Sequence, residues 1–139
     1  MILICISGLL AAQEPITWDL LADASFESIY DQESGLQVNQ VTPGPYLSLF
    51  EGKEVVIKGY IIPLDALGVN YVISKSTFAS CFFCGKAGPE TILQLELKPE
   101  AIEKYATDYL GIFRGILNIN KTDLKEFNYI LRDAEEVKQ

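Results

Sequence analysis

Residues 52–64 read GKEVVIKGYIIPL, and their alternation decides the fold. Val55, Ile57, Gly59 and Ile61 fall on one side of an extended chain, with Val56, Lys58, Tyr60 and Ile62 on the other. The pattern predicts a turn at Glu51-Gly52, a long strand over 53–62, and a stop at Pro63. Gly59 sits inside that strand, where it costs stability unless backbone comes close or the strand bends sharply. Small closed barrels need such bends. Downstream, strands are predicted over 69–74, 91–97, 110–120 and 128–133, with a second mid-strand glycine at Gly115. Upstream, residues 36–41 alternate and predict a short strand, and Pro43, Gly44 and Pro45 enforce a loop.

Helical signals are few. Thr17 caps a predicted helix in which Trp18 and Leu21 share a face, and Phe26 and Tyr30 extend its apolar side. Pro99 opens a helical turn that Ala101, Ile102, Tyr105 and Ala106 continue at helical spacing. No long helix recurs between strands, so a βαβ sheet is excluded. The fold expected is all-β: a small OB-like β-barrel with an N-terminal helical segment, with a half-open β-roll as the alternative.

Composition bounds the function. The chain has 139 residues, 49% hydrophobic and 22% charged, which supplies one modest core. It contains no histidine, so Ser-His-Asp, Cys-His and histidine-cluster zinc chemistry are excluded. A net charge of −8 argues against nucleic acid and anionic membranes as partners. Residues 1–12, MILICISGLLAA, carry no charge, are too short for a transmembrane helix, and read as the remnant of a secretory signal peptide. The expected mature domain is 13–139, exported to the periplasm or cell envelope, with Cys81 and Cys84 as its only cysteines.

Residues 75–89, KSTFASCFFCGKAGP, interrupt the strands and carry the one sharp motif, a CxxC. Two thiols at this spacing close a disulfide or share a soft metal. Zinc or copper(I) is the candidate ion, although a structural zinc shell needs ligands that Cys81 and Cys84 alone do not supply. A second copy of the chain, or an envelope partner, would complete it. Thiol–disulfide exchange is the enzymatic alternative, disfavoured because Gly85, Gly88 and Pro89 leave no room for a helix beginning at Cys81. The structural alternative is a loop pinned to the barrel by a Cys81–Cys84 disulfide or by two buried thiols, with Phe78, Phe82 and Phe83 as an aromatic group that needs burial and Lys86 beside the thiols. Tyr60, Tyr71 and Tyr129 lie on predicted strands and offer a candidate ligand face, with core packing as the plainer role. Asp19, Asp23, Glu27 and Asp31 recur at a spacing of four and would align on one helix, where a solvated face explains them.

Trp18 and Leu21, the pattern Gly52-Lys53-x-Val55-x-Ile57-x-Gly59-Tyr60-x-x-Pro63-Leu64, and the segment from Cys81 to Pro89 resemble the DUF3299 family of small exported bacterial proteins of unknown function. The resemblance extends weakly to Gly115 and spans most of the chain after residue 17. It implies an envelope or periplasmic protein associated with metal handling or export machinery, and carries no activity over. Relatives bear histidine in the cysteine segment; this chain has none, so no histidine-dependent metal site is implied here.

Overall fold

The computed structural model describes residues 13–138. The expected signal remnant at 1–12 lies outside them. The strands are β1 (Glu14–Pro15), β2 (Ala24–Asp31), β3 (Leu36–Pro43), β4 (Glu54–Pro63), β5 (Tyr71–Ser74), β6 (Ile92–Leu97), β7 (Leu110–Ile119) and β8 (Tyr129–Glu136). Two single-turn helices accompany them, α1 (Trp18–Leu21) and α2 (Pro45–Ser48).

The 52–64 stretch becomes β4, as its alternation predicts, and β4 is the seam of the barrel. It pairs antiparallel with β5 through Tyr60–Pro63 and with β7 through Glu54–Tyr60. The order β4-β5-β6-β8-β7 therefore returns to β4 and closes. β6 and β8 run parallel, while β5–β6 and β7–β8 are antiparallel. This is the five-stranded Greek-key circuit of an OB fold. The β4–β7 pairing excludes the half-open roll.

Period-2 alternation divides the wall. Val55, Ile57, Ile61, Ile73, Leu93, Phe113, Leu117 and Leu131 point inward and form one buried cluster. Each such side chain contributes about 1.5–3 kcal/mol on burial. Both described cysteines are free, so this core holds the domain together without a covalent cross-link among the described residues. Gly59 stands opposite Gly111 in the β4–β7 ladder. A Cβ on Gly59 would lie 2.8 Å from the Ser74 carbonyl oxygen and 2.9 Å from Trp18 Cζ2, so the close approach of β5 and of the indole is what requires glycine.

The N-terminal segment departs from expectation. The helix stops after Leu21, and residues 24–31 form β2, paired in register with β3 from Ala24↔Pro43 to Asp31↔Leu36. Phe26 and Tyr30 are four apart, a spacing that suits one helical turn and also places both residues on one face of a strand. The β3 ladder decides in favour of the strand. Both carboxylate oxygens of Asp31 accept backbone N–H groups of the turn, from Glu33 and Ser34. The expected helical carboxylate row is consequently broken up. Asp23 instead accepts the N–H groups of Tyr46 and Leu47, both at 2.9 Å, and caps α2, an element absent from the sequence reading. The helical spacing after Pro99 also fails: only Pro99–Ala101 makes a 3-10 turn, and the chain onward to Tyr105 is irregular.

Candidate functional site

The cysteine insert leaves the barrel after β5 and returns at β6. It is built from three 3-10 turns, Phe78–Ser80, Phe82–Cys84 and Pro89–Thr91. Its ends are tied by a bond from the Lys75 N–H to the Thr91 carbonyl at 2.9 Å. Its first turn is held by the Phe78 N–H donating to Asp108 Oδ1 at 2.8 Å. The Cys81 carbonyl accepts the Cys84 N–H at 3.2 Å, and Gly85 ends that turn at φ +69°, a left-handed conformation that favours glycine. Gly88 closes the insert by accepting the Thr91 hydroxyl at 2.6 Å, and Pro89 opens the last turn.

The expected loop-pinning disulfide is not formed, nor are both thiols buried: the two cysteines are free and have opposite environments. Cys81 is 0% exposed and packs with Ile62, Val72 and the half-buried Phe127. Cys84 is exposed, and its thiol donates to the Phe78 carbonyl at 3.3 Å. Phe83 meets Phe127 edge-on at 6.0 Å between ring centroids, and Phe82 meets Phe83 at 5.8 Å. The aromatic group is only partly buried: Phe78 and Phe83 remain exposed, and Phe82 is half-buried. Lys86 is exposed and pairs with no carboxylate among the described residues.

What lies under the insert explains the burial of Cys81. Ile62 and Val72 are directly opposite on β4 and β5, and Val72 is opposite Gln94 on β6, which is opposite Ile130 on β8. Their neighbours Ile61, Ile73, Leu93 and Leu131 point into the core, so this row faces outward. The β5–β6 exterior and its flanking loops are where OB folds take oligonucleotides and oligosaccharides. Here that exterior is covered by the chain itself. Cys81 comes from the insert, Phe127 from the loop between β7 and β8, and the Phe127 N–H donates to Gln94 Oε1 at 3.3 Å.

The three tyrosines do not form one ligand face. Tyr71 is 1% exposed and Tyr129 0%, because both sit on the inward register of their strands. The Tyr71 hydroxyl accepts the Tyr105 N–H at 3.1 Å, and the Tyr129 hydroxyl donates to the Leu21 carbonyl at 2.7 Å, fastening α1 to the barrel. Burial, with Glu90 and Asp23 nearby, holds the Tyr129 phenol above its ordinary pKa of 10.0. Tyr60, on the outward register, is half-buried and alone lines an open recess.

Metal binding was tested against the residues present. A soft ion needs both sulfurs and further donors. Cys81 is sealed in an apolar cluster, and no group of three Cys, Asp or Glu side chains able to hold an ion occurs among the described residues. One chain therefore does not build a metal shell from these residues. Compared with known proteins, the chain matches no family model, and no curated protein is significantly similar to it.

A second place emerges that the strand pattern did not single out. Along one edge of β4, β1 pairs at Val55 and Val56 and β5 pairs from Tyr60 onward. Trp18 stands in the break between them, its indole N–H donating to the Lys58 carbonyl at 2.9 Å. Beside the ring opens a recess of about 460 Å³, lined by Ile16, Trp18, Lys58, Tyr60, Lys75 and Leu110 among others. The sequence signal was available in Trp18, the chain's one tryptophan, and in Lys58 on the outward register of β4. Their proximity depends on a crossing 40 residues apart that periodicity does not encode.

Proposed function

We propose that this chain is a non-enzymatic accessory or binding module of the cell envelope, in which the cysteine insert is a structural cover over the barrel exterior. The burial of Cys81 against Ile62, Val72 and Phe127 carries this reading. A buried thiol in apolar surroundings behaves as a small hydrophobe, and neither metal nor disulfide exchange reaches it without lifting the cover. The envelope location rests on the uncharged leader-like segment at 1–12 and on the resemblance to the DUF3299 family.

The exposure of Cys84 favours a second reading, in which its thiolate is one donor to zinc or copper(I) shared with a second copy or an envelope partner. Native mass spectrometry of the full chain, purified from its own compartment with and without chelator, separates the two. The structural reading predicts the same metal-free mass in both preparations. Retention of one ion per pair of chains, lost in Cys84→Ser, would establish the shared site instead. Rapid reduction of a mixed disulfide by the wild-type chain would make it an exchange enzyme.

A further inference from the structure

The recess at the break between β1 and β5 has the chemistry of a ligand site. Its walls are apolar at Ile16, Trp18 and Leu110, and its charged groups are Lys58 and Lys75; no carboxylate lines it. In a chain of net charge −8, Lys98, Lys121, Lys125 and Lys138 each pair with a glutamate. Lys58 and Lys75 pair with none among the described residues, nor do Lys53, Lys86 and Lys104; of these five, Lys58 and Lys75 line the recess.

The trough beside them carries both signs of charge. Lys58 and Leu110 also line an adjoining trough of about 530 Å³, which adds Lys104. Of the trough's carboxylates, Glu103 pairs with Lys138, and Glu136 accepts the hydroxyls of Tyr105 and Tyr109 and keeps its charge; neither forms an ion pair with Lys58. The Trp18 N–H is already spent on the Lys58 carbonyl, so the rest of the ring offers the recess only apolar surface.

We infer that this recess binds a small amphipathic anion, its phosphate, sulfate or carboxylate head between Lys58 and Lys75 and its apolar body against Trp18 and Leu110. Two lysines on one recess attract an anionic head more strongly than either alone, and the attraction weakens with added salt because both are exposed. Release of water from the indole and Leu110 favours the body. The site stands apart from Cys81 and Cys84 and holds whichever role those cysteines have.

Trp18 is the only tryptophan, so its fluorescence reports the recess directly in the full chain. Cyclohexyl phosphate is expected to shift the emission saturably. Cyclohexanol, which lacks the head, and inorganic phosphate, which lacks the body, are expected to bind at least about tenfold more weakly. Cyclohexyl sulfate and cyclohexanecarboxylate identify the preferred head by their rank. The double variant Lys58→Gln/Lys75→Gln, both positions exposed, is expected to keep its melting temperature and lose about tenfold or more in affinity. Lys53→Gln, outside the recess, is expected to change nothing. Equal binding of cyclohexanol, or an unchanged affinity in the double variant, would overturn the inference.

Discussion

Two stretches of the barrel exterior share β4 and have opposite fates. On one, Ile62 and Val72 are capped by Cys81 and Phe127. On the other, Lys58 and Tyr60 border a recess that nothing in the described chain fills. The difference comes from what each neighbouring segment contributes. After β5 the insert folds back with a cysteine over the apolar row, and the loop between β7 and β8 adds Phe127. Where β1 ends, the chain supplies a single indole that plugs the break and leaves space beside it. A surface usual for ligands in this fold is thus closed, and a subsidiary one is open.

The sharpest way to break the comparison is charge. Cys81→Asp would bury an unpaired carboxylate and is expected to cost about 3–5 kcal/mol in urea unfolding. Cys84→Asp, three residues along, is expected to stay within about 0.5 kcal/mol of wild type. Equal losses at both positions would mean that the insert does not discriminate inside from outside. Should Cys81→Asp not fold, Cys81→Ser is expected to lose about 1–3 kcal/mol and carries the same contrast.

The next effect belongs to the strap that places Trp18. Tyr129→Phe removes the bond to the Leu21 carbonyl and is expected to cost about 1–3 kcal/mol, with a change in Trp18 emission as α1 loosens. The same residue gives an alkaline signature. Its folded-state pKa is raised above 10.0, so the stability it contributes is complete below that value and is lost as pH rises toward the folded-state value. Melting temperature against pH is expected to fall on the alkaline side, less steeply in Tyr129→Phe.

The smallest effect lies away from both surfaces. Hydrogen bonds from Arg114 and Lys98 hold Glu135 below its ordinary pKa of 4.5. Its contribution is present above that value and disappears as pH falls through the lower folded-state one. Glu135→Gln is expected to flatten the acid limb of the melting curve slightly. An unchanged acid limb would show that this half-buried cluster is screened.

The barrel was legible because β4, β6 and β7 carry a period-2 pattern around inward residues such as Ile57, Leu93 and Leu117, broken only at pairs such as Ile61-Ile62 and Ile92-Leu93. The N-terminal hairpin was not, because the spacing of Phe26 and Tyr30 satisfies helix and strand alike and only pairing with β3 separates them. The cysteine segment was legible as an irregular insert, and its two thiols as the point to watch. Their unequal burial was hidden, since it depends on Phe127 arriving from a loop far along the chain. For Tyr71 and Tyr129 core packing, the plainer reading, holds, and the ligand-face alternative falls once the register of their strands is known. The recess needed a further long-range fact, the meeting of Trp18 with Lys58.

Thiol labelling of the native full chain, read peptide by peptide by mass spectrometry, tests the closed cover most directly. The predicted result is rapid modification of Cys84, with Cys81 protected until the domain unfolds globally in denaturant. Modification of Cys81 at a rate comparable to Cys84 under native conditions would contradict it.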